Sequence, residues 1–131
     1  MKYDTHVHTT FSPDAVSTFK DYSRKIDEGK VCGIGFTEHV DFLPECGAYG
    51  FFDYNAFVEK INEYRSKGYE FHAGAEIDYA KSVEGEIETH LQSHSYEYTI
   101  CSVHMINGVS VSNSKKREDL NTDAAILDML E

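Results

Sequence analysis

A chain of 131 residues, 40% hydrophobic with nine tyrosines and eight phenylalanines, supports one domain with a real core. Its formal charge of -11 repels phosphate backbones and argues against a nucleic-acid scaffold. No apolar run approaches the ~18 residues that cross a bilayer, and Met1-Lys2-Tyr3-Asp4 lacks a signal peptide's apolar stretch, so a cytoplasmic location without a membrane partner is expected.

Lys2 to His8 alternates, with Tyr3, Thr5 and Val7 on one face and Asp4, His6 and His8 on the other, which is strand periodicity. Ser12-Pro13-Asp14 has the order of helix cap, first-turn proline and first-turn acid, and predicts a helix to about Glu28, stopped by Gly29. Val31 to Thr37 is a second strand that delivers His39. Asp53 caps the next predicted helix, whose apolar stripe of Phe57, Ile61 and Tyr64 ends at Gly68. Tyr69 to Ile77 is the third strand and carries Glu76. Glu84 to Gln92 is a weaker helix, Tyr96 to His104 is the fourth strand, and Leu120 to Leu130 begins a fourth helix.

Four β-then-α units predict an α/β fold with a parallel sheet. Right-handed crossovers place every helix on one face and leave the other free. Four strands cannot close a barrel, so the chain reads as the front part of a larger one. Residues 1–131 are then a single, C-terminally truncated domain, and its open sheet edge predicts self-association.

Parallel strands bring their carboxyl ends to a common rim, where His6, His8, His39, Glu76 and His104 converge. Glu76 is the sharpest of these, because a carboxylate ending an apolar strand is costly unless paired, hydrogen-bonded or metal-bound. Asp4, on the face assigned to His6, can accept the spare imidazole N–H of that ligand, or it is a strand-end charge. Asp14 is a ligand or a helix-dipole acid. Cys32, Cys46 and Cys101 form no Cys-x-x-Cys pair and are read as reduced thiols. His90 and His94 are read as surface decoration, His72 as interior or supporting, and Lys115-Lys116-Arg117 as a solvated loop before the last helix or a phosphate contact.

His6-Val7-His8-Thr9, Ser12-Pro13-Asp14, Gly35-Phe36-Thr37-Glu38-His39-Val40-Asp41, Gly74-Ala75-Glu76-Ile77 and Ser102-Val103-His104 together resemble the polymerase and histidinol phosphatase (PHP) family. The Thr-Glu-His-Val-Asp-Phe string and Asp14 are most similar to its histidinol-phosphatase branch. The resemblance implies a distorted seven-stranded barrel, of which this chain supplies roughly the first four units. It also implies up to three divalent metals, zinc, manganese or iron, at the carboxyl end.

By matching motifs, His6 and His8 would hold the first metal, Glu76 would bridge it to the second, and His104 would bind that second ion. Asp14 and His39 would serve the third, with Glu76, His104 and His39 as the catalytic set. The family completes the cluster with a further histidine and an Asp-x-His motif on later strands, and neither of these is reached within residues 1–131. The implied activity is hydrolysis of a small phosphomonoester such as histidinol phosphate, since such cations make water nucleophilic and neutralise phosphate oxygens. Two alternatives stand beside it: a phosphodiesterase or exonuclease-like activity, and an inactive metal-binding half domain.

Overall fold

The structure, a computed structural model, describes residues 1–106 and 109–111. The expected helix over 120–130 and the basic run at 115–117 lie outside the described residues. Strands β1 (Tyr3–Val7), β2 (Gly33–Val40), β3 (Phe71–Asp78) and β4 (Tyr98–Ser102) form one parallel sheet in the order β1-β2-β3-β4. Between them run α1 (Phe19–Asp27), α2 (Tyr54–Ser66), a 3-10 turn (Lys81–Val83) and α3 (Glu84–Ser93).

One side of the sheet holds the apolar core. Ile34 and Phe36 of β2 and Phe71 and Ala73 of β3 pack with Phe19 and Tyr22 of α1 and with Phe57 and Ile61 of α2. Farther along the same face, Val40, Ala75 and Ile77 pack with Val83 and with Ile87 of α3. All three helices therefore cover one face, as right-handed crossovers require. The opposite face is concave, and the Tyr98 hydroxyl crosses it from β4 to donate to the Thr5 carbonyl of β1 at 2.7 Å. The result is a curled half-barrel.

The first helix begins later than its sequence suggests. Thr18 is the cap, and the Asp21 carboxylate accepts from both the Thr18 backbone N–H (2.8 Å) and hydroxyl (2.6 Å). Ser12 is unavailable as a cap because its hydroxyl is buried against Glu38, and Pro13 and Asp14 lie in a turn. The predicted stops hold: Gly29 and Gly68 follow α1 and α2 with φ of 68° and 92°, conformations that side chains disfavour.

β2 runs three residues past its expected end at Thr37, to Val40, so His39 belongs to the ladder, paired with Glu76. β4 stops at Ser102, two residues before His104, and a short antiparallel hairpin follows, β5 (Met105–Ile106) with β6 (Val109–Ser110). That hairpin carries no alternating pattern long enough to be read from sequence. Among the described residues, no helix is long and apolar enough to cross a membrane.

Candidate metal centre

β1 contains an irregularity that decides which way its histidines point. Asp4 pairs with Ile34 and Val7 with Phe36, so three steps along β1 match two along β2. Ile34 and Phe36 both face the helices, which puts Asp4 and Val7 on that side. His6 and His8 flank Val7 and face the concave side. Regular alternation assigned Asp4 and His6 to one face; the extra residue separates them, and no hydrogen bond joins the two. The structure thus places Asp4 away from the position where it would orient His6.

The other residues singled out in the sequence meet at one carboxylate. His6 Nε2, His8 Nε2 and His39 Nδ1 lie 3.4, 3.3 and 3.4 Å from Glu76 Oε2. His104 Nε2 lies 3.5 Å from the other oxygen, Oε1. On its far side His39 presents Nε2 to Asp14 Oδ2 at 3.2 Å. The Glu76 side chain is only 8% exposed and that of Asp14 is 61% exposed, so the cluster runs from an interior carboxylate to one at the mouth. The helix-dipole reading of Asp14 falls away, because the residue precedes the Thr18 cap.

The electrostatics follow from this crowding. Burial alone would raise the Glu76 carboxyl, but contacts from His104 and His8, the charge of His39 and the contact from His6 outweigh it and hold it well below the carboxylate range. Contacts with Asp41 and then Glu76 push His104 up to about 10 against the loss from burial. His8 is raised chiefly by its contact with Glu76.

Glu38, Asp41 and Asp78, which sequence reasoning left without a role, support this set, as does Ser12, which it read as a helix cap. Glu38, fully buried, accepts from the Thr9 N–H (3.0 Å), the Thr9 hydroxyl (2.7 Å) and the Ser12 hydroxyl (2.6 Å). Ser12 in turn accepts from the His39 N–H at 2.9 Å. Asp78 accepts from the His104 N–H at 2.6 Å and from the Cys46 thiol at 3.1 Å. Burial, followed by that bond, pushes the Cys46 thiol up to about 12. Asp41 and Asp78 stand two residues beyond His39 and Glu76, and that same-face spacing was the available signal.

His72 shares the Glu76 face but is engaged elsewhere, with its Nδ1 2.7 Å from Glu97. His90 and His94 are more than decoration. Their rings stack at 4.1 Å, and His90 packs edge-on to Phe42 with its Nε2 2.8 Å from the Tyr96 hydroxyl. Cys32 and Cys101 are exposed and Cys46 is buried, and all three are free.

The donor set suits a divalent cation. Three overlapping groups, His6–His8–Glu76, His8–Asp14–His39 and His39–Glu76–His104, each bring ligand atoms within 4.8 Å of one another. His39 Nδ1 is buried without a hydrogen-bond partner, a costly state that a cation beside Glu76 would relieve. Imidazole and carboxylate donors together accept zinc, manganese or iron. A cavity of about 380 Å³ adjoins the cluster, lined in part by Asp14, His39, Asp41, Glu45, Cys46 and His104. Its size is that of a small-molecule site.

Parallel βα units carrying a histidine–carboxylate cluster on the strands' carboxyl rim define the class of protein: an α/β half-barrel with a candidate divalent-metal centre. The chain belongs to the PHP domain family, whose model matches residues 4–129. It is 31% identical over 114 residues to a probable histidinol-phosphatase of Clostridium acetobutylicum, covering 85% of this chain and 42% of that protein. Its fold is similar to the crystal structure of histidinol phosphate phosphatase from Lactococcus lactis, complexed with zinc, L-histidinol and phosphate. There the TM-score is 0.77 at 25% identity, over 84% of this chain and 43% of that one. The chain thus spans less than half the length of these relatives.

Proposed function

We propose that this chain is part of a metal-dependent phosphatase that hydrolyses a small phosphomonoester, with histidinol phosphate the first candidate substrate. The observation that carries this reading is Glu76 facing four imidazoles within 3.3 to 3.5 Å. The names of the relatives, and the zinc, histidinol and phosphate held by the solved one, support it.

His6, His8, Asp14, His39, Glu76 and His104 would hold the cations. Bound there, divalent cations supply a water that is nucleophilic near neutral pH and neutralise phosphate oxygens. The protein's own part is to fix the ligands and shape the cavity. Glu76 sits between the imidazoles and orients them toward one point, while His39 and His104 reach the cavity wall beside Asp14. Asp41 and Glu45 make that wall acidic, so a phosphate dianion is admitted only when the cluster carries enough positive charge.

The test is phosphate release from a panel of phosphomonoesters, histidinol phosphate included, and from a model phosphodiester, by the full-length protein of which this chain is part, loaded with zinc or manganese. Monoester hydrolysis that disappears with a chelator and in Glu76→Gln is expected. Loaded protein that releases no phosphate, or that cleaves only the diester, would overturn the reading.

A further inference from the structure

We infer that Asp41 is a positioning residue for His104: its Oδ1 accepts the Nδ1–H of that ring and thereby keeps Nε2 turned toward Glu76, where a bound cation would take the place of its proton. This rests on the reading of His104 as a metal ligand.

His104 stands beyond the end of β4, so the sheet ladder does not fix it. Its backbone is held instead by Asp78, whose Oδ1 takes the His104 N–H at 2.6 Å. The ring then lies between two carboxylates, with Nδ1 3.8 Å from Asp41 Oδ1 and 3.9 Å from Asp78 Oδ1. Asp78 is already committed, Oδ1 to that backbone N–H and Oδ2 to the Cys46 thiol. Asp41 is not: its side chain is 4% exposed and its Oδ1 is buried with no hydrogen-bond partner.

A buried carboxylate oxygen left unpaired is expensive, and so is a liganding imidazole whose second nitrogen has no acceptor. A small rotation of the ring satisfies both groups at once. The 3.8 Å separation is too long for a hydrogen bond, so the inference requires the ring to close on Asp41 while Nε2, now 3.5 Å from Glu76 Oε1, stays on that side. The rival use of this corner is a cation held by Asp41, Cys46 and Asp78, whose ligand atoms also lie within 4.8 Å of one another. A cation there would have to displace the thiol proton that Cys46 donates to Asp78, and the titration below separates that outcome.

The experiment is zinc titration of the whole chain, with calorimetry for affinity and long-range proton–nitrogen NMR of labelled histidines for proton placement. Zinc-loaded wild type should show His104 protonated at Nδ1, with a slowly exchanging N–H. Asp41→Ala should lose that slow exchange and weaken zinc binding roughly 10- to 100-fold. Asp41→Asn keeps a carbonyl acceptor and should restore both to near wild type.

Asp41→Ala that binds zinc within twofold of wild type and keeps the slow His104 proton overturns the role of Asp41 alone. The same follows if the variant loses a separate zinc equivalent while His104 is untouched, which is the cation-site outcome. If Asp41→Ala does not fold, the wild-type spectrum decides: a His104 with no proton on Nδ1 when zinc is bound overturns the inference. A wild type that binds no zinc overturns the metal-centre reading as well.

Discussion

The Ser12 hydroxyl donates to the buried Glu38 carboxylate at 2.6 Å, and this bond ties the loop after β1 to the interior of β2. Ser12 also accepts the His39 N–H at 2.9 Å and lies 3.4 Å from His8 Nδ1. One hydroxyl thus touches two of the candidate ligands, and its anchor is a carboxyl group fully enclosed on the helix side of the sheet.

Glu38→Ala should therefore destabilise the fold by roughly 2–4 kcal/mol, because it strands the Thr9 N–H and two hydroxyls in a buried site. Ser12→Ala, which leaves the carboxylate its Thr9 partners, should cost about 1–2 kcal/mol. Urea unfolding of the chelated protein measures both, and equal losses would contradict the central place given to Glu38.

Much of the fold was legible because it depends on period and punctuation. Phe57 and Ile61 are spaced as a helix stripe and are fully buried, and Asp53 caps α2 by accepting the Ala56 N–H. The gathering of His6, His8, His39, Glu76 and His104 followed from one rule, that parallel strands share a rim. What the sequence concealed came from tertiary competition. Ser12 has the chemistry of a cap, but Glu38, 26 positions later, takes its hydroxyl, and Thr18 caps the helix instead. Asp4 looked like a partner of His6 because a one-residue bulge leaves no mark in a hydrophobic pattern. Asp41 and Asp78 went without a role because a carboxylate's use depends on which backbone or ring lies opposite it.

Gly35→Ala should loosen the curl of the sheet. A Cβ there would collide with the Tyr98 hydroxyl and come within 3.2 Å of the Thr5 Cα, so the bond from β4 to β1 could not form as it stands. A stability loss of about 1–3 kcal/mol is expected from overpacking, with weaker zinc binding as His6 and His8 move away from Glu76. Tyr98→Phe should weaken the same tie without the clash and lose about 1 kcal/mol. Thermal melts with and without zinc measure both effects.

Metal-free protein should be most stable in mildly acidic solution. His104 is raised from 6.5 to about 10, so its contribution is complete below 6.5 and is lost as pH rises through 10. Glu76 is lowered from 4.5, so its contribution is present above 4.5 and is lost as pH falls below that value. The optimum of the chelated chain should lie between about 4.5 and 6.5. Zinc reverses the alkaline side, since it must displace the His104 proton and binds better as pH rises. Melting temperatures at pH 5, 7 and 9, each with chelator and with zinc, give the check; a chelated chain most stable at pH 9 would contradict the ion-pair picture.

Glu76 should be the least replaceable residue of the centre. Glu76→Gln keeps the shape but removes the negative charge that His6, His8, His39 and His104 share. Its effect on zinc affinity should exceed the roughly 10- to 100-fold loss typical of a supporting partner. Calorimetric titration at pH 7 measures it, and a loss below tenfold would contradict a bridging role.

The most direct measurement is a crystal structure of zinc-soaked chain with anomalous scattering collected on both sides of the zinc edge. Peaks are expected within bonding distance of Glu76 and of imidazole nitrogens from His6, His8, His39 or His104. Zinc found only elsewhere, at His90 and His94 or at His72, with the Glu76 cluster free of anomalous density, would contradict the assignment of this rim as the metal centre.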